Sequence, residues 1–301
     1  MKMTSFSVVI VAKEEQAIIE RLVEHYLGIG AKHITIYFDG IADFEPPARP
    51  GLFTFIQCSE QVWKEIGRAR PDALEERQAI LYGHALERCD AEWLLMVDSD
   101  ELLAGDGPVR EALALIPPDV DVLRVPNAEA VWSPADDPYV DFGTRWFRWP
   151  MKGRSRRVVA RLVYGKFHRF LEAGVAGHRS GKQFLRTKRR YERIRLHCSV
   201  PGAGGTVRWI GEFSRGRFFI AHFDAIGFEH WKRKFLRRAA RPQEVPTMRP
   251  ARLSLVHLIG ATSQGSEADL ERLFRHIYCL NRFQLAVLRM FDLAFKRDIF
   301  R

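Results

Sequence analysis

Cysteine is scarce in this sequence. Its 301 residues hold four, Cys58, Cys89, Cys198 and Cys279, far apart and with no CxxC pair. That spacing gives neither a zinc-ligand signature nor a disulfide framework, and it points to a reducing, cytoplasmic setting. Long apolar runs are missing as well. No window approaches the roughly 20 uncharged residues that a spanning helix requires. The run near the start is about eight residues long and meets charge at Lys13, too short for the apolar core of a secretory signal. There is no internal repeat and no low-complexity tract. With 47% hydrophobic and 28% charged residues the composition is that of an ordinary globular protein, which excludes collagenous and largely disordered classes.

Acidic residues nearly vanish between positions 145 and 195, where Glu172 and Glu192 face 17 Lys and Arg. The chain carries a formal net charge of +10, so this one block more than accounts for it. Such a field attracts nucleic acid, anionic lipid or the acidic groups of a substrate alike. No nucleic-acid motif accompanies the block, so a nucleic-acid partner is not expected.

Against these absences stands a regular alternation. FSVVIVA, Phe6 to Ala12, is a β-branched run with the look of a strand buried on both faces. Ile18, Ile19, Leu22, Val23, Tyr26 and Leu27 then fall on one helix face, and Gly28 and Gly30 end it. Strands are predicted at 33–38, 52–57, 93–97 and 120–125, with helices at 73–89 and 108–116 between them. Alternating strands and helices predict an α/β fold on a doubly wound, mostly parallel sheet, in which ligands sit at the carboxyl ends of the strands. Polar clusters stand at those ends: Lys13-Glu14-Glu15 after the first strand, Asp39 after the second, and Asp98-Ser99-Asp100-Glu101 after the fourth. From 134 to 191 the pattern weakens into predicted loops and short antiparallel strands. A helix is expected at 229–238, and an amphipathic, basic stretch at 269–300.

Carboxylates one residue apart at a strand end can share a hard divalent cation, Mn²⁺ or Mg²⁺, whose remaining ligands are phosphate and water. Asp98 and Asp100 have that spacing. Three acids crowded into four residues also repel one another unless a cation sits among them. Bound there, the ion neutralises the charge that grows on a departing pyrophosphate.

The stretches VVIVAKEEQAIIERLVEHYLGIGAKHITIYFDG, AEWLLMVDSDELL and HFDAIGFEHWKRKF resemble a branch of the family 2 glycosyltransferases, one with a D-x-D-E motif after a tryptophan-led strand. The resemblance covers residues 5 to 130 well and the rest thinly. It implies a GT-A, Rossmann-like fold with a C-terminal helical extension, and metal-dependent transfer with inversion from a nucleotide sugar, a UDP-sugar first. It also implies a glycan or lipid-linked acceptor, as in polysaccharide or glycoconjugate synthesis. Carried over by position, Lys13, Glu14 and Glu15 lie by the nucleotide, Asp39 reaches the base or ribose, and Asp98 and Asp100 handle ribose, metal and pyrophosphate. His222 would be a late metal ligand. Two departures stand out: Glu14-Glu15 replaces the usual Asn-Glu, and Gly-Ile-Ala-Asp follows Asp39 in place of a polar run.

The implied layout is a catalytic domain over 1–228, with a nucleotide-sugar half at 1–130 and an acceptor half at 131–228, followed by a helical region at 229–301. Gly177-His178-Arg179-Ser180-Gly181-Lys182 does not have Walker A spacing, but Arg179 and Lys182 could reach the pyrophosphate from a flexible basic loop. An inverting transfer needs a carboxylate base on the acceptor side. Asp137 and Glu129 rank first, ahead of Asp136 and Asp224. Trp132, Trp146 and Trp149 could stack on sugar or simply pack. Cations among the apolar residues of the C-terminal stretch allow peripheral contact with an anionic inner membrane face. Two other classes share parts of this signature: a nucleotidyltransferase with a similar acidic metal site, and a non-enzymatic binder of nucleic acid or other polyanions.

Overall fold

The computed structural model describes residues 4–300 except 41, 48–49, 154–155, 214–216 and 242–247. Ile41, in the departure after Asp39, and Arg154, in the basic block, therefore lie outside the described residues. The chain forms two compact units, Met1–Pro126 with Ser180–Ile220, and Asn127–Arg179 with Ala221–Arg301. They are interleaved in sequence, since the chain leaves the first unit and returns to it.

The first unit begins as β1 (Phe6–Ala12), α1 (Gln16–Gly28), β2 (Ile34–Phe38), β3 (Phe53–Gln57), α2 (Glu60–Ile66), α3 (Leu74–Arg88), β4 (Trp93–Asp98), β5 (Glu101–Ala104), α4 (Val109–Ala114) and β6 (Val120–Val125). All seven residues of β1 are buried, as expected of a central strand covered on both faces. In α1 the apolar stripe Ile18, Ile19, Leu22, Val23 and Tyr26 is buried. The chain then enters the second unit through β7 (Asn127–Val131), β8 (Trp146–Arg148), α5 (Arg156–Tyr164) and a 3-10 turn at Gly165–Phe170. It returns with β9 (Lys182–Arg186), β10 (Tyr191–Arg193), β11 (Val200–Pro201), β12 (Thr206–Trp209) and a 3-10 turn at Ile210–Glu212.

In the first unit seven strands form one sheet in the order β12-β6-β9-β4-β1-β2-β3. The pairs β4 with β1, β1 with β2, β2 with β3 and β12 with β6 are parallel. Helices flank the sheet, and Leu81, Tyr82, Ala85 and Leu86 of α3 share a core with Val9, Val11, Leu94 and Met96. This is the α/β class that the sequence predicts. One strand departs from that pattern: β9 runs antiparallel between β4 and β6. Short antiparallel strands are expected in this stretch, but β9 is a buried strand in the middle of the sheet, and Lys182, expected on a basic loop, opens it.

The chain passes back to the second unit within β13 (Phe219–His222) and continues there with α6 (Phe228–Ala240), α7 (Pro250–Thr262), α8 (Glu267–Tyr278), α9 (Arg282–Met290) and β14 (Ala294–Lys296). Strands β14, β8 and β7 pair antiparallel in that order. Rings of Trp132, Phe228, Trp231, Phe274 and Tyr278 pack at centroid distances of 5.3 to 6.0 Å. Trp132 is thus a core residue with no face left for a sugar. Trp149 stacks on Phe295, and Trp146 is half-buried beneath Arg289. The irregular stretch predicted at 134–191 contains α5, and the stretch at 269–300 breaks into two helices and a strand. Among the described residues no helix is long and apolar enough to cross a membrane.

Candidate active site

The parallel pairings in the first unit bring the carboxyl ends of β4, β1, β2 and β3 to one edge. Asp98 lies in register with Val11, Ala12 with Phe38, and Phe38 with Gln57. The polar groups after these strands are therefore neighbours. The backbone N–H of Asp39 donates to Ala12 O at 2.7 Å, and Ser99 Oγ donates to Glu14 Oε1 at 2.9 Å, tying the end of β4 to the end of β1. Lys13 and Glu15 are exposed at the same edge.

The turn of the motif is sealed by its own side chain: Glu101 Oε2 accepts from the Asp98 backbone N–H at 2.8 Å. Tyr26 of α1 donates from its hydroxyl to Glu101 O at 2.8 Å, and His25 Nε2 donates to Leu103 O at 2.9 Å. Both lock the segment after the turn against α1. Burial drives the His25 pKa down to about 4, despite the opposing pull of its bond to Leu103.

Asp98 is half-buried and fully engaged. Its Oδ1 accepts from Gln78 Nε2 at 2.7 Å and from Tyr82 at 3.5 Å, and its Oδ2 accepts from Lys182 Nζ at 2.7 Å. The same ammonium lies 3.1 Å from Glu101 Oε2. Lys182 is therefore not on a flexible loop facing pyrophosphate: it opens β9 with 0% exposure and sits among the acids of the motif. Burial works against its charge, but Asp98 and Glu101 outweigh burial and hold its pKa above the usual lysine value. Burial, then Asp98 and Glu101, push the Tyr82 phenol well up.

Asp39 is also occupied. Arg77 Nε donates to its Oδ2 at 2.8 Å and Arg70 Nη2 to its Oδ1 at 2.9 Å, while Arg77 Nη1 is fixed by Asp72 O at 2.5 Å. The expected contact of Asp39 with base or ribose thus meets a carboxylate whose two oxygens each hold a guanidinium. Asp100 is buried, with 8% exposure.

The remaining predicted residues belong to the second unit. Glu129 pairs with Arg148 across the β7–β8 ladder. Its Oε1 accepts from Arg148 Nη2 at 2.5 Å and from Ala176 N at 2.9 Å, and its Oε2 accepts from Gly177 N at 2.6 Å. Fully buried, with both oxygens engaged, it is poorly placed to take a proton from an acceptor, contrary to its ranking as a base. Burial opposes the Arg148 charge, yet Tyr164 and Glu129 outweigh it and hold the pKa up. Asp224 is likewise committed: Arg252 grips both its oxygens at 2.6 and 2.5 Å, and Tyr278 donates at 2.5 Å. Burial alone would raise its pKa, but Arg252 and Lys234 pull it well below the usual range. Asp137 remains exposed, accepting from Tyr139 N at 2.9 Å. Arg179 lies 3.1 Å from Glu172, which also holds Arg249.

His222 ends β13 with 4% exposure, its ring 4.8 Å from that of His178. Ligand atoms of the two imidazoles lie within 4.8 Å of each other, a pairing the sequence reading missed. Gly177 is required here, because a Cβ would stand 2.2 Å from His222 Cε1. Gln78, Tyr82 and Arg77 were also missed, although their signal was available: all three adjoin the apolar stripe of one helix and are buried.

No family model matches the chain, and no curated protein matches it. Among solved structures it is similar to S. aureus TarS, at 12% identity over 88% of this chain and 44% of that one, with a TM-score of 0.30. It is similar to TarS 1-349 in complex with UDP, at 12% identity over 87% and 72%, with a TM-score of 0.31. It is also similar to GalNAc-T7 with UDP, GalNAc and Mn²⁺, at 11% identity over 96% and 57%, with a TM-score of 0.36. The chain thus spans 44% of the first TarS structure's length.

Proposed function

We propose that this protein is a GT-A type glycosyltransferase that moves a sugar from a nucleotide diphosphate sugar to an acceptor, with inversion. The observation that carries the reading is the convergence of Lys13 to Glu15, Asp39 and the Asp98 to Glu101 turn at one edge of a parallel sheet, joined by the Ser99 to Glu14 hydrogen bond. Lys13 offers an exposed ammonium beside that edge, and Arg70 and Arg77, held by Asp39, add fixed positive charge near the nucleotide.

A divalent ion, Mn²⁺ or Mg²⁺, would supply neutralisation of the leaving pyrophosphate. The donor set fits such an ion only in part. The oxygens of Asp98 already hold Lys182 and Gln78; Asp100, the second acid of the motif, would hold the ion. On the acceptor side Asp137 has the exposure that a base requires and Glu129 does not. The second unit holds 25 Lys and Arg against 13 Asp and Glu, a net +12, which suits an acidic acceptor.

The test is a screen of UDP-, GDP- and CMP-sugars with Mn²⁺ by thermal shift, since a ligand of the folded state raises Tm. One donor class is expected to raise Tm and to support transfer that Asp100→Ala abolishes without unfolding the protein. Absence of any shift, or full transfer by Asp100→Ala, would overturn the reading.

A further inference from the structure

Three acids in four residues call for a cation, and the chain itself supplies one. Lys182 lies 84 residues after Asp98 and reaches it because β9 pairs antiparallel with β4, Gln183 opposite Met96. Entry into β9 depends on Gly181, whose φ is +69° and whose Cβ would stand 2.1 Å from Val125 O. The result is a closed ring. Lys182 Nζ touches Asp98 Oδ2 at 2.7 Å and Glu101 Oε2 at 3.1 Å, Glu101 Oε2 accepts from Asp98 N at 2.8 Å, and Gln78 fills Asp98 Oδ1 at 2.7 Å. A divalent ion seeking the same oxygens would have to displace a buried ammonium or stand beside it, and like charges at such range repel strongly in a poorly solvated site.

We propose that Lys182 is the resident counter-cation of the motif. It is a positioning residue that fixes Asp98 and Glu101 and keeps divalent metal off both. The inference deepens the donor-site reading and takes from it the identity of the site. Its test does not use turnover, so either can fail alone.

The experiment titrates Mn²⁺ into the full chain without nucleotide and follows the free aqua ion by electron paramagnetic resonance. Asp98→Asn and Glu101→Gln are each expected to leave Mn²⁺ affinity within about twofold of the parent. Lys182→Met, which takes the ammonium away from two carboxylates, should tighten Mn²⁺ binding by about tenfold or more, while Lys182→Arg restores the parent value. A purely structural lysine would lower stability in Lys182→Met without creating metal affinity. Loss of Mn²⁺ binding in Asp98→Asn overturns the proposal, as does a folded Lys182→Met with unchanged affinity. If Lys182→Met does not fold, the Asp98→Asn and Glu101→Gln pair still decides, since loss of Mn²⁺ binding in either overturns the proposal.

Discussion

At the scale of single residues, the first unit buries polar side chains such as His25 and Lys182 against partners distant in sequence. His25 is one whose consequence can be measured. Its imidazole is neutral in the fold, with a pKa near 4 against 6.5 in the unfolded chain, so the unfolded state binds the extra proton first. Its contribution to stability is full above pH 6.5 and is lost as pH falls from there toward 4, about 3 kcal/mol in all. Urea unfolding at pH 7 and pH 5 should show most of that loss, and His25→Gln should flatten the slope between them. An unchanged slope in the variant would assign the acid sensitivity to other groups. Burial separates Asp98 from Glu129. Both are engaged acids, but Asp98 stands at a strand end with partial exposure, whereas Glu129 is sealed against Arg148. Removing one partner of such a buried pair leaves a charge without its counter-ion.

At the scale of elements, periodicity was a reliable guide where burial is regular. β1 and β6 run over the residues predicted, because continuous apolar runs bounded by turns have one comfortable arrangement in a covered sheet. The C-terminal stretch was harder to read. Its apolar positions suggest one amphipathic element, but Asn281 starts a new helix: its Oδ1 accepts from Gln284 N at 2.9 Å, and Gln284 Oε1 accepts back from Asn281 N at 2.8 Å. Leu285, Val287 and Leu288 of α9 are consequently buried, while Phe283 is 60% exposed and Met290 78%. Asn281→Ala should cost about 1 kcal/mol, read as a lower urea midpoint with unchanged m. The helix α5 and the central place of β9 in the sheet escaped prediction for a related reason. Each is short and arginine- or lysine-rich, so charge masked a buried face that only neighbouring elements reveal.

At the scale of the whole molecule, charge is divided between the units. The second carries the net +12, and the first holds 22 Lys and Arg against 24 Asp and Glu, a net −2. If the acceptor is acidic, as proposed, raising ionic strength from about 20 mM to about 0.5 M should lower kcat/KM several-fold, because the Debye length shrinks to a few ångströms. A neutral acceptor analogue should respond little. Equal salt responses for the two would remove the charge argument for acceptor choice.

The sequence by itself determined the alternation of elements, the α/β class and the placing of polar clusters at strand ends, because these follow from local periodicity and from where apolar runs stop. Long-range pairing was needed for everything that depends on which strand lies beside which. The insertion of β9 against β4 turned Lys182 from a loop cation into the counter-ion of Asp98 and Glu101. Cross-strand register made Glu129 the partner of Arg148 in place of a free base. Local spacing can show that acids are crowded, but only tertiary structure decides which cation relieves them.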